Sequence, residues 1–284
     1  MSAPTVRRRR LGATLRKLRE DAGLTLEVVE ERVGFTVAKL SRIETARVAA
    51  KAGDVEKLLD LYKFTDEAKR EGLLKLVREG GKRGWWQSYR EILKPVYQDL
   101  ISLEAEASGI RTFETLLIPG LFQTSAYARS VIGAINLRAT PDKVNALVEV
   151  RVARQSVLTR PEPLEVWAII HEAALRTTVA SNPAVMRDQL QRLCDLAELP
   201  HVNIQVMAER SAPHPGAAGA FTILGFPERT DLDVVLLESL SNSLYIEDDE
   251  DVELYGAAFE LLRADALGFD KSLEMITELK EATK

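Results

Sequence analysis

Arginine, lysine and hydroxyl side chains crowd the first fifty positions of this 284-residue chain. Arg7, Arg8, Arg9 and Arg10 form one run, and Lys39, Ser41, Arg42 and Arg47 follow close together. Such groups suit phosphate oxygens, and an arginine fork also matches the paired acceptors on a guanine edge. The whole-chain charge argues the other way: 38 Lys+Arg against 43 Asp+Glu give a net of −5, and an acidic surface repels duplex DNA. That average conceals a division. Residues 1–84 hold 20 Lys+Arg and 13 Asp+Glu, a net of +7, whereas residues 85–284 hold 18 and 30, a net of −12. Charge asymmetry between segments is itself a functional clue.

The acidic segment offers little catalytic chemistry. His171-Glu172 opens like the helix of a zinc peptidase, but Leu175 stands where the second histidine ligand belongs. His171, His201 and His214 are the only histidines, and nothing in their spacing gathers them. No GxSxG, Walker or GxGxxG loop is present, and Gly216–Gly219 reads as a turn leading into a strand. Asp248–Asp251, with Glu247 and Glu253, suits a cation or a basic partner, or more simply a solvated helix N-terminus. The single Cys194 excludes an internal disulfide and lies in a helical apolar pattern as a small buried thiol. No catalytic residue, metal or cofactor is expected, and the chain is not expected to be an enzyme.

Composition sets the outer bounds. With 46% apolar and 29% charged residues, the chain reads as globular and long enough for about two domains. Its longest aliphatic stretches, such as Val166–Ile170 and Val234–Leu237, fall far short of the roughly 20 residues that cross a bilayer. No apolar run follows the N-terminal arginines, so no secretory signal is read and a cytoplasmic protein is expected.

The basic chemistry must be positioned by helices. Leu11, Leu15, Leu18 and Ala22 recur at helical spacing, and Gly23 stands at the C-cap. Thr25 caps a second short helix with Leu26, Val29 and Val33 inward, and Gly34 turns the chain after eight residues. Thr36 caps a third helix whose apolar face is Leu40 and Ile43, which leaves Lys39, Arg42 and Arg47 along its outer side and end. After a loop over Thr45–Gly53, Asp54 starts a fourth helix with Val55, Leu58 and Leu59 inward, and Thr65 begins a fifth reaching about Glu79. The four arginines precede the first helix, as an arm for phosphates or the minor groove, or as a solvated tail. Two short helices joined across a glycine turn make a helix-turn-helix, although a plain helical hairpin has the same periodicity.

The stretch LGATLRKLREDAGLTLEVVEERVGFTVAKLSRIE, Leu11–Glu44, resembles the Cro/C1-type (XRE, lambda-repressor-like) helix-turn-helix family, above all in SRIE at Ser41–Glu44. The resemblance implies a five-helix domain whose third helix enters the major groove. It places Val37, Ala38, Ser41 and Arg42 at the bases, with Thr36 and Lys39 nearer the phosphates and Thr25 at the start of helix two. Leu26 stands where the family often has a phosphate-binding Gln, and Val37 and Ala38 cannot donate to purine edges, so Arg42 becomes the strongest direct reader. The same resemblance makes Arg19 and Glu44 a structural ion pair between helices one and three.

Gly80-Gly81-Lys82-Arg83-Gly84 forms the best boundary, dividing a DNA-binding domain over 1–79 from an acidic domain over 85–284. Trp85, Trp86 and Tyr89 beyond it suit a packed seam. Strands are expected at Ile110–Ile118, Leu164–Ile170, Val202–Met207, Ala220–Phe226 and Asp233–Glu238. Helices are expected at Val96–Ser108, Thr124–Asn136, Pro141–Thr159, Asn182–Leu199, Val252–Ala266 and Lys271–Ala282, giving a mixed α/β domain and an α+β chain overall. Here too a resemblance is present. Leu117-Ile-Pro-Gly-Leu-Phe-Gln-Thr124 followed by Tyr127-Ala-Arg129 is similar to a signature in the C-terminal domain of actinobacterial developmental and antibiotic regulators. Together the two resemblances imply a homodimeric transcriptional regulator on an inverted-repeat operator, its DNA affinity biased through the acidic domain. The alternative they leave is an antitoxin-like protein that sequesters a small protein encoded by an adjacent gene.

Overall fold

The computed structural model describes residues 6–79, 85–179, 181–209, 211–226, 229–240 and 242–283, apart from the side chains at 7, 68, 76, 79 and 229–232. Contacts divide the chain into two units, Met1–Gln87 and Ser88–Lys284. The glycine-rich stretch 80–84, expected as the domain boundary, lies outside the described residues.

Among its described residues the first unit holds five α-helices: α1 (Val6–Asp21), α2 (Leu26–Val33), α3 (Val37–Glu44), α4 (Ala52–Leu61) and α5 (Glu67–Glu79). Leu11, Leu15, Val29, Leu40, Ile43, Val55, Leu58, Leu59 and Leu73 meet in one core. The expected inward faces therefore converge, except Ala22, which lies past the end of α1 and is exposed. Gly34 caps α2 with φ +73°, a left-handed conformation that costs a side chain and suits glycine. Thr25 and Thr36 cap α2 and α3, their hydroxyl oxygens accepting from Val28 N and Lys39 N.

Three helix starts differ from expectation. α1 begins at Val6, so Arg7–Arg10 form its first turns and are not an arm ahead of it. Arginine is a good helix former, and nothing between Val6 and Leu11 interrupts the backbone. α4 starts at Ala52, with Asp54 inside its first turn, and Asp66 rather than Thr65 caps α5 by accepting from Lys69 N at 3.0 Å.

Among its described residues the second unit is built on six strands, with α6 (Pro95–Glu106) ahead of β1 (Gly109–Glu114). Next come α7 (Ser125–Ile135), α8 (Pro141–Arg154), β2 (Glu165–His171), α9 (Glu172–Arg176) and α10 (Ala184–Ala197). The chain then runs through β3 (Val202–Met207), β4 (Phe221–Phe226), β5 (Arg229–Glu238), β6 (Ser243–Ile246), α11 (Asp249–Asp265) and α12 (Phe269–Ala282). The sheet order is β3-β2-β1-β4-β5-β6. β1, β2 and β3 are parallel, and β4, β5 and β6 continue antiparallel from β1. The chain is thus an α+β protein, a helical unit followed by a mixed sheet with helices.

Alternation along the strands divides the sheet into two faces. Phe113, Ile169, Phe221, Ile223 and Val235 meet Val252, Phe259 and Leu262 of α11. Ile110, Thr112 and Glu114 point to the opposite face. The edge strand β3 is shielded: Ser272 Oγ accepts from Val206 N at 3.0 Å, and Leu267 N donates to Val206 O at 2.9 Å. β1 stops at Glu114, short of the expected Ile118. The Ile118 amide donates to Tyr127 Oη at 3.1 Å and its carbonyl accepts from Gln123 Nε2 at 2.8 Å, so neither group is left for a ladder. β6 was not expected, because its four residues follow a polar Ser-Asn stretch and Leu244 is exposed.

Candidate nucleic-acid interface

α2, the turn through Gly34 and α3 expose several polar side chains beside two small apolar ones. Thr25, Thr36, Ala38, Arg42 and Arg47 are exposed, and Val37, Lys39 and Ser41 are half-buried beside them. Leu40 and Ile43, on the opposite side of α3, are almost fully buried. Eight residues present one face to the core and leave the other open, as helical spacing requires. Because Thr25 and Thr36 spend an oxygen lone pair on capping, each hydroxyl proton remains able to donate to an acceptor such as phosphate.

The four arginines are not equivalent. Arg8 is exposed and Arg9 half-buried, but Arg10 is only 6% exposed, which takes its guanidinium out of a freely accessible cationic run. The side chain of Arg7 lies outside the described residues. Lys39, expected near phosphates, is held at 2.8 Å from Asp54 Oδ2 and lies 4.0 Å above the Phe35 ring. Arg42 is freer: its Nε donates to Ala38 O at 3.1 Å, which leaves the outer nitrogens of the guanidinium pointing away from that bond.

What fixes α3 is the Arg19–Glu44 pair. Arg19 Nε and Nη2 donate to the two carboxylate oxygens at 2.7 and 3.0 Å, and Nη1 donates to Leu24 O at 2.8 Å. The bond to Glu44 raises the guanidinium pKa above its ordinary value, against desolvation. Beside this pair, burial chiefly and the Glu44 charge secondarily hold the Tyr62 hydroxyl above the usual tyrosine range. Gly12 completes the joint. A Cβ there would stand 2.5 Å from Glu44 O and 2.7 Å from Ile43 O, so α1 and α3 touch backbone to backbone. Asp54 is expected from sequence only as a helix start, and Gly12 is not singled out, although a glycine inside an apolar helical repeat is a sign of close packing.

In the second unit the histidines serve locally. His171 Nδ1 accepts from Ala173 N, His201 donates to Leu158 O at 2.9 Å, and His214 sits edge-on to Phe113. Asp248 caps α11 by accepting from Glu250 N. Gln123, Tyr127 and Gln189 form a latch: Gln189 accepts from Thr124 N and donates to Phe122 O, both at 2.8 Å, while Arg151 donates to Gln123 Oε1 at 2.9 Å. Glu104 and Arg154 make a buried ion pair, Nη2 donating to Oε1 at 2.8 Å and Nε lying 2.7 Å from Oε2. Burial, with the Glu238 charge adding and Arg151 opposing, raises the Glu114 carboxyl to about 8.

Two family models match the chain. One described as a helix-turn-helix domain covers residues 10–73, and one described as a domain of unknown function (DUF5753) covers residues 97–278. No curated protein and no solved structure matches. Among the described residues, no helix is long and apolar enough to cross a membrane.

Proposed function

The chain belongs to the DUF5753 family, carries a helix-turn-helix domain ahead of that region, and we propose that it is a sequence-specific DNA-binding transcriptional regulator. The observation that carries this reading is the open face of α3, exposed at Thr36, Ala38 and Arg42 and locked from behind by Arg19 and Glu44. α3 lies in the major groove, Arg42 reads a guanine edge, and Ala38 and Val37 pack on thymine methyls. Thr25, Thr36 and Arg47 hold phosphates on either side, which sets the register without reading sequence.

An eight-residue recognition helix covers few base pairs, so the operator is an inverted repeat and the binding form a homodimer. The second unit biases that affinity, since a domain with its own core can prefer one binding state over another. Retention of the chain's own upstream region by the full-length protein, measured across a salt series, tests the reading. Specific binding that falls steeply as salt rises supports it. No retention of any promoter fragment at low salt overturns it.

A further inference from the structure

Between α6, α7, α8 and the β5–β6 connection lies a cavity of about 420 Å³. That volume falls in the range of small-molecule sites. Ile92, Val96, Ile132, Ile135 and Leu147 give it apolar walls, and Lys94 and Lys143 line it as well. A smaller recess of about 120 Å³ adjoins it on the sheet face and shares Tyr97, Leu100, Arg151, Leu236 and Glu238 with its walls. The cavity thus offers apolar walls that lead toward the polar recess through Arg151 and Glu238.

The polar end holds unused hydrogen-bonding capacity. Arg151 gives Nη1 to Gln123 Oε1, but its buried Nε has no partner among the described residues. Glu114 lines the recess half-buried, and its carboxyl makes no hydrogen bond among the described residues. Its raised pKa keeps it protonated at neutral pH, so it too is a donor. Glu104 and Arg154 neutralise each other, and the remaining charges facing Glu114 are Arg151 from α8 and Glu238 from β5. Two donors lining one recess call for an acceptor oxygen. A buried donor such as Arg151 Nε is rarely left unmade, since it costs about as much as a lost hydrogen bond.

We infer that this cavity binds a small aliphatic acyl compound, its chain along Ile92, Val96, Ile132 and Leu147 and its carbonyl or carboxylate oxygen on Arg151 and Glu114. Binding itself does not depend on the DNA reading; that the ligand biases operator affinity does rest on it. Isothermal titration of the full chain with octanoate, decanoate and the corresponding amides tests the inference.

The expected result is binding of at least one probe near one equivalent, with Arg151→Met and the cavity-filling Leu147→Phe each weakening it at least roughly tenfold. Tighter binding of the amide identifies a carbonyl head, and tighter binding of the acid a carboxylate. Thermal unfolding of each variant without ligand confirms that it is folded, and Glu114→Gln, which keeps the shape, provides a second reading at the polar end. Absence of binding by every probe at about 1 mM, or binding indifferent to all three substitutions, overturns the inference. Loss of DNA retention with ligand binding intact would instead sink the regulator reading alone.

Discussion

Arg42 and Lys39 stand three residues apart on α3, yet the structure gives them different tasks. Arg42 is exposed and, among the described residues, bonded only to its own helix carbonyl, whereas Lys39 is engaged by Asp54 and the Phe35 ring. Arg42→Ala is therefore expected to flatten base preference at one or two positions per half-site, at about 1–3 kcal/mol each. Binding-site selection on the variant measures this, and an unchanged preference refutes the role. Lys39→Ala is expected to leave the selected sequence alone and to cost folding stability up to about 1 kcal/mol, the scale of an exposed pair with one aromatic contact. Glu44→Ala is far more severe. It strands Arg19 in a site where that side chain is nine-tenths buried, at about 3–5 kcal/mol by chemical denaturation.

At the scale of elements, the contact between α1 and α3 decides how α3 is presented. Gly12→Ala drives a methyl into the Ile43 and Glu44 carbonyls, which are backbone and cannot swing aside. It is expected to destabilise the helical unit by about 1–3 kcal/mol, the scale of overpacking. DNA affinity should fall with it, because α3 must shift. On the sheet, Glu114 makes stability depend on pH. Its folded pKa of about 8 lies above the ordinary carboxylate value, so the folded state holds a proton that the unfolded chain has lost. The stabilisation is present at low pH and is lost as pH rises toward 8, with a slope of about 1.4 kcal/mol per unit from this one group. Glu114→Gln should remove that component from a denaturation series between pH 5 and pH 8. A parental slope retained by the variant would place the titration elsewhere.

These two joints also mark what the sequence could and could not reveal. Apolar repeats and threonine caps located α2 and α3 because their causes are local, within four residues. The Arg19–Glu44 pair was reachable only through resemblance, since its partners are 25 residues apart. The start of α1 was misplaced because charge was read as a sign of an arm, when arginine is also a good helix former. β1 was drawn too long because Ile118 is apolar like a strand residue, yet both its backbone groups are claimed by Tyr127 and Gln123 from the next turn. The recess around Glu114, Arg151 and Glu104 was invisible, since it is assembled from α6, β1, α8 and β5. No local pattern encodes such a meeting.

For the whole molecule, the net charge of −5 is the sum of a basic helix-turn-helix segment and an acidic remainder. Non-specific duplex affinity comes from released counterions and follows the cationic charge a protein brings to phosphates. An acidic domain on the same chain works against it through long-range repulsion, while contacts at base edges are too short-ranged to be affected. The first unit has its own core of Leu15, Leu40, Leu58 and Leu59, so it is suited to being made alone. Residues 1–87 by themselves are expected to bind random duplex more tightly per monomer than the full chain at low salt, with the difference shrinking as salt screens it. Preference for the operator over random DNA should run the other way and be greater in the full chain. Fluorescence anisotropy with a random and an operator duplex, across a salt series, separates the two quantities. Equal non-specific affinity at every salt concentration would mean that the acidic remainder does not set the selectivity, leaving the face of α3 to supply it.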